Sequence, residues 1–327
     1  MKRLNRNELI GKINSSASNA ISFVFITDFK GEEGYFYTIE DLYKYNIALN
    51  IRGLELGKIV SKSNGYTSLT PKPISKNDYL KCFDSVRRHI LDGDSYLLNL
   101  TIATPLEGEI CLSSVYSKAN ATYKMLFKDK FVFYSPETFV RIKDNAIYSY
   151  PMKGTISNSV ENAESRLLGD KKELYEHYTI VDLIRNDLAL VAKNIEVTKF
   201  RYIDRIETSK GIVLQTSSEI KGSLDSDWHS HLGNIIFDML PAGSISGAPK
   251  AKTVSIIEDN ELSPRGFYTG VMGYFDGEKF DSSVNIRFIN KGDKGNFYYH
   301  SGGGITSMSN VDDEYNELIT KIYVPIF

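Results

Sequence analysis

The 327 residues carry 39 basic and 41 acidic side chains, a net charge of -2, with 42% hydrophobic and 24% charged residues. So balanced a chain has no electrostatic field for nucleic acid or an anionic membrane, and any small anionic substrate has to be held by a local cluster. Two cysteines, Cys82 and Cys111, make no disulfide framework and match no metal spacing, so the sequence reads as soluble and cytoplasmic.

Residues 1 to about 75 contain strand-like runs, "ISFVFITDF" and "YNIALNIRGLEL", and then a Ser/Thr/Pro/Lys loop, "SKSNGYTSLTPKPISKND". The first of these runs is too short for a signal segment or a membrane span. "SKNDYLKCFDSVRRHIL" predicts a capped amphipathic helix, and "GDSYLLNLTIATPL" a turn and a strand. "YKMLFKDKFVFYSPETFVRI" and "NAIYSYPMKGTI" read as strands joined by tight turns. From 161 to 190 the period is helical, from 195 to 224 it alternates again, and "WHSHLGNIIFDML" is helical. The loop "PAGSISGAPK" feeds a helix starting near Pro249. Paired strands follow in "YTGVMGYFDGEKFDSSVNIRFIN" and "NFYYHSGGGITSM", and "NVDDEYNELITKIYVPIF" closes the chain as a helix. Groups of strands alternating with groups of helices predict an α+β fold, as one large domain or two closely packed halves.

Six features could carry chemistry. Lys153, in "PMKGT", sits where a strand turns: it is a solvated charge, or an amine aimed into a cleft. Glu314, Glu317 and Lys321 fall at i, i+3 and i+7 on one helical face. They are a surface pair with a neighbour, or oxygen ligands for a hard cation beside an anion-binding lysine. Glu176, in "ELYEHYTIVDLIRND", is a third candidate carboxylate for that ion, while Arg185 and Asp187 read as a helix-end network. "PAGSISGAPK" is not a phosphate loop, because Gly243 and Gly247 stand four apart and no Gly-Lys-Ser/Thr occurs. A carboxylate could still sit at the helix start that follows. Gly302 to Gly304 weaken a strand, which calls for close ligand approach or marks a flexible turn. Arg287 is a plausible carboxylate clamp.

Taken in order, "SPETF", "PMKGT", "EHYTIVDLIRND", "PAGSISGAPK", "YTGVMGYFDGEKFDSSVNIR", "SGGGI" and "DDEYNELITK" resemble the chorismate-utilising enzymes. The resemblance covers roughly residues 78 to 327. It implies a single catalytic domain, 1–327, with a shortened amino-terminal part, 1–77, and the family core, 78–327. The implied fold has two β-sheets packed face to face, helices outside and the active site between. It implies Mg²⁺ held by Glu176 and Glu317, with Glu314 acting through water. Arg287, Tyr274, Lys321, Ser246, Thr155 and the amides of Gly303 and Gly304 are implied to contact chorismate. Glu137 resembles the general acid that protonates the departing C4 hydroxyl.

A lysine at 153 marks the branch that aminates chorismate to 4-amino-4-deoxychorismate through a covalent lysine intermediate. The anthranilate-forming branch, the alternative, usually has a small residue there. Covalent catalysis demands a lowered lysine pKa. Leu97, Gln215 and Phe288 depart from the family pattern, and Leu97 disfavours isochorismate chemistry. Neither cysteine lies in a Gly-x-Cys-x-Gly elbow, so ammonia is expected from a separate glutamine amidotransferase subunit.

Overall fold

A computed structural model describes residues 2–59, 68–208 and 211–323 of the chain. Its strands form two antiparallel sheets, of ten and nine strands. The first runs in the order Leu4–Asn5, Glu33–Thr38, Phe23–Thr27, Val271–Phe275, Phe280–Val284, Thr138–Lys143, Ala146–Ser149, Gly211–Ser223, Met152–Ser157. The long strand Lys193–Thr208 also pairs with Gly211–Ser223. The second sheet runs Gly247–Ala248, Leu97–Glu109, Phe297–Ile305, Phe288–Lys291, Phe131–Ser135, Tyr123–Phe127, Ile47–Ile51, Leu54–Gly57.

Side chains from both sheets meet in shared cores. One core joins Val24, Ile26 and Met272 of the first sheet to Leu49, Met125, Phe133 and Phe288 of the second. Another joins Phe25, Phe139 and Phe280 to Leu98, Leu100 and Ile102, and adds Phe83 and Val86 from the helix Lys76–Leu91. The α+β expectation of two packed sheets flanked by helices is met.

The chain passes from one sheet to the other at two adjacent places. Phe131–Ser135 belongs to the second sheet and Thr138–Lys143 to the first, so Pro136 and Glu137 span the gap. Phe280–Val284 belongs to the first and Phe288–Lys291 to the second, so Asn285, Ile286 and Arg287 make the return crossing. The Val284 N–H donates to the Glu137 carbonyl at 3.2 Å and ties the crossings together.

Local chemistry explains several boundaries. Ser75 caps the helix Lys76–Leu91 through the Asp78 N–H, and Asp170 caps Lys171–Ala189 through the Glu173 N–H. Three expectations need correction. Arg6–Ser18, in the part read only for strand-like runs and a loop, is a helix with an Asn5–Glu8 capping box and Leu9, Ile13 and Ala17 buried on one face. Ser68–Pro71, read as loop, pairs with the far end of Leu97–Glu109; the rest of that loop, from 60 to 67, lies outside the described residues. The closing helix is Val311–Thr320 and does not run on to Phe327, with Lys321 as its cap and 324–327 outside the described residues.

A buried pair secures the segment under the cleft. The Arg265 and Glu261 side chains are 2% and 4% exposed, with Nη2 and Oε1 at 2.7 Å. Arg265 also donates to the carbonyls of Ile245 and Asn99, and Glu261 accepts from the Thr101 N–H and hydroxyl. Removing one partner leaves an uncompensated buried charge. We expect Glu261→Gln to lower unfolding stability by about 3 kcal/mol in urea titration. A loss below about 1 kcal/mol would show that the pair behaves like an exposed one.

Candidate active site

Between the sheets lies a cleft of about 1640 Å³. Its wall includes Glu137, Lys153, Thr155, Glu176, Ser246, Arg287, Lys321 and the glycines 302–304.

The first crossing places Glu137. Its Oε1 accepts from the Ser244 hydroxyl at 2.6 Å. Burial pushes the carboxyl above its ordinary range, and the Ser244 bond and the ammoniums of Lys321 and Lys153 pull it down without reversing the shift. A carboxyl that keeps its proton is what a general acid needs. The return crossing places Arg287, whose backbone is left-handed, at φ 52. No carboxylate among the described residues pairs with its guanidinium, which faces the cleft.

Lys153 lies on the strand Met152–Ser157, where the register shifts between Lys153 and Thr155. Gly154 makes the irregularity possible: its φ is +73, and a Cβ there would stand 2.9 Å from Glu173 Oε2. Lys153 Nζ is 2.8 Å from Glu176 Oε2. Burial pulls its pKa down, but the Glu176 charge and hydrogen bond, with Glu317 and Glu173, outweigh that and raise it. The sequence-based expectation of a lowered value is therefore not met in this state, because three side chains from two helices supply negative charge that no local reading reveals.

The helix Val311–Thr320 brings Glu314 and Glu317 to the glycine strand. A Cβ on Gly303 would meet Glu317 Oε1 at 3.4 Å and Glu314 Oε2 at 3.5 Å, so the two carboxylates converge there. Glu314 is 7% exposed, and burial raises its pKa against a Ser309 bond, with Glu317 and Glu176 adding to the rise. Glu317 is lowered, since Lys321, at 2.6 Å, outweighs its burial. Among the described residues no three His, Cys, Asp or Glu side chains stand close enough to hold a metal as they are. Glu176 is turned to Lys153 and Lys172, and Glu317 to Lys321. The donor set still fits Mg²⁺: it is all carboxylate oxygen, and one or two protein carboxylates with waters and substrate suffice for that ion.

The glycines have separate reasons. At Gly302 a Cβ would lie 2.5 Å from the Leu100 carbonyl, so strand pairing demands it, whereas Gly303 opens towards carboxylates. Lys321 Nζ donates to the Gly302 carbonyl at 2.8 Å. Ser246 lines the cleft, but its hydroxyl is spent on the Ala242 carbonyl. Tyr274 is not brought to the site: it packs beside the core of Val24, Ile26 and Met272, and the cleft tyrosines are Tyr96, Tyr134, Tyr175, Tyr268, Tyr299 and Tyr323. Strand alternation decides this, since Gly273 and Phe275 take the opposite face from Tyr274. Phe288 is 2% exposed in the core, while Leu97 and Gln215 line the cleft.

Sequence reasoning missed the supports. Asp187 pairs with Lys250 Nζ at 2.6 Å and accepts from the Gly243 N–H at 2.9 Å, so it holds the loop that carries Ser244. Arg185, expected beside it, pairs instead with Asp182 on the surface. His177, fully buried, meets Ser218 Oγ at 2.7 Å, which anchors the Glu176 helix on the first sheet. Burial, then Arg201, holds its pKa down at about 4. Only the pairing of Asp187 with Lys250 had a sequence signal, in that both motifs contain a charged residue at a helix boundary.

Comparison with known proteins now decides the family. The model of the chorismate binding enzymes matches residues 58–326. The chain belongs to the chorismate-binding enzyme family. It is 46% identical over 326 residues to a Haemophilus influenzae protein named "Uncharacterized PabA-like protein", covering 100% of this chain and 99% of that one. It is 29% identical over 267 residues to aminodeoxychorismate synthase component 1 of Bacillus subtilis, covering 77% of this chain and 55% of that one. Among solved structures, anthranilate synthase component I from Streptococcus pneumoniae superposes with a TM-score of 0.67 at 25% identity, covering 82% of this chain and 61% of that one. The menaquinone-specific isochorismate synthase from Escherichia coli shares the fold, with a TM-score of 0.75 at 17% identity, 98% of this chain and 82% of that one. The chain thus spans less than two thirds of the anthranilate synthase chain.

The half-buried Glu137 gives a stability test. Its folded pKa is raised, so its contribution is complete below the ordinary value of 4.5 and is lost as pH rises through the folded value. Glu137→Gln, which cannot ionise, should therefore melt above wild type at about pH 8 and lose that advantage near about pH 4. Calorimetry at both pH values checks this, and an unchanged difference would place the carboxyl in water.

Proposed function

We propose that this family member aminates chorismate to 4-amino-4-deoxychorismate, as component I of an aminodeoxychorismate synthase serving p-aminobenzoate and folate formation. One observation carries the reading: Lys153 stands in the wall of the cleft that also holds the half-buried Glu137. A lysine amine and a carboxyl whose pKa burial raises, facing one space, suit substitution of a hydroxyl by nitrogen. The Lys153 ammonium passes one proton to Glu176, 2.8 Å away, and the neutral amine attacks C2 of chorismate while Glu137 gives its proton to the C4 hydroxyl, which leaves as water. Ammonia then bonds to C4 and the electron pair of the C2–N bond returns to Lys153. Arg287 and Lys321 suit the two substrate carboxylates, as cations that both line the cleft.

Glu176, Glu314 and Glu317 would hold Mg²⁺, which when bound supplies positive charge against these carboxylates and those of chorismate. Ammonia would come from a separate glutamine amidotransferase. Of the two cysteines, Cys82 is buried in a helix and Cys111 contacts Ser113, so neither is presented as a glutaminase nucleophile.

The decisive experiment omits ammonia. With chorismate and Mg²⁺ alone, wild type should accumulate an adduct of chorismate less water, mapped by peptide mass spectrometry to "PMKGT". Lys153→Ala should show no adduct and lose most product. An active alanine variant, or anthranilate as the product under ammonium, would overturn the reading.

The metal has its own test. Glu176→Gln and Glu317→Gln should each lose most turnover with circular dichroism unchanged, and chelator should silence wild type. Full turnover in chelator would remove Mg²⁺ from the scheme.

A further inference from the structure

The reaction proposed above asks the Lys153 amine to reach C2, and the aim of that side chain is set by a bulge. The register of Met152–Ser157 against Gly211–Ser223 shifts between Lys153 and Thr155. A bulge takes backbone out of the ladder and re-aims the side chains it carries. Whatever pins the bulge therefore directs Lys153.

Two elements pin it. The helix Lys171–Ala189 presses close, since a Cβ on Gly154 would lie 2.9 Å from Glu173 Oε2. The second is Thr216, which stands opposite Lys153 across the strands. Thr216 is fully buried, and its hydroxyl donates to the Lys153 carbonyl. Strand alternation puts Ser218 on the same face as Thr216 and Ser217 on the other. Ser218 Oγ lies 2.7 Å from Nε2 of His177, the neighbour of Glu176 in the chain. Ser217 is buried too, yet its hydroxyl takes no partner. The face that bonds is the face that holds both halves of the Lys153–Glu176 pair.

We propose that Thr216 is a positioning residue for Lys153: its hydroxyl fixes the carbonyl at the bulge and so aims the amine into the cleft beside Glu176. Thr216 itself does not line the cleft, so it acts on the chemistry through Lys153. The proposal deepens the amination reading and rests on it.

Thr216→Val keeps the shape and exchanges the hydroxyl for a methyl. With chorismate and Mg²⁺ but no ammonia, it should form the Lys153 adduct about thirtyfold more slowly than wild type, since a small misplacement of a reacting group is costly. Under ammonium, kcat should fall in step while the KM for chorismate stays within about twofold, because Arg287 and Lys321 are untouched. Thr216→Ser, which keeps the hydroxyl, should return the adduct rate to within about threefold of wild type. Thr216→Ala reads the same loss if the valine chain does not fold. In crystals of the free enzyme, the Lys153–Glu176 contact, 2.8 Å here, should persist in Thr216→Ser and be lost in Thr216→Val. A slowing below about fivefold in Thr216→Val, equal slowing in the serine chain, or an intact contact in a slowed valine chain would each overturn the assignment. The contact is read without chorismate, so a wild type that forms no adduct defeats the amination reading and still tests Thr216.

Discussion

The hydrogen bond from the Val284 N–H to the Glu137 carbonyl, 3.2 Å long, is the point on which the site depends. It joins the two places where the chain changes sheets. Behind it, Asp281 of the first sheet accepts from Tyr123 at 2.6 Å, Arg52 at 3.2 Å and Arg141 at 3.0 Å, so charge and hydroxyl cross the same seam. Backbone in such a crossing cannot continue a ladder and must satisfy its polar groups otherwise. Side chains there are released from strand alternation and can point into the gap. Glu137 and Arg287 both use that release, and the left-handed φ of Arg287 is its local cost.

One cleft then holds carboxylates driven in opposite directions. Glu137, without an adjacent ammonium, is raised by burial, whereas Glu317, whose side chain is 48% exposed, is lowered by Lys321 at 2.6 Å. Environments that push two acids apart separate a proton donor from an anionic ligand group. Lys153 belongs with the second set, since Glu176 keeps it cationic. In this state the lysines neutralise the carboxylates, which is why a donor set suited to a hard cation stands as ion pairs.

What the sequence disclosed was local. The Ser75 cap and the alternation of the strands can be read from neighbours, and the order of the motifs carried the family and most of the cleft residues. The helix Arg6–Ser18 escaped because its apolar face has only three buried residues among polar ones, although Asn5 and Glu8 mark its start. Tyr274 was misplaced because a motif does not say which face of a strand a residue takes. The raised Lys153 and the Asp187–Lys250 pair depend on helices that meet only after folding, and spacing along the chain holds no record of them.

Some of the unmet polar atoms lie close to this site. Among the described residues, Asn99 Oδ1, Glu173 Oε2, His177 Nδ1, Ser217 Oγ and Asn285 Oδ1 are buried and take no hydrogen bond. Asn99 lines the cleft, Glu173 presses on the bulge beside Lys153, and His177 adjoins Glu176. Ser217 pairs with Met152, next to Lys153, and Asn285 lies in the return crossing. A chain selected only for stability would replace or satisfy such atoms, because each costs its desolvation. Arg87 Nε, Thr104 Oγ1, Arg201 Nε and Ser283 Oγ are unmet as well, so such atoms are not confined to the site, and the shared cores of the two sheets carry the stability which makes all of them tolerable.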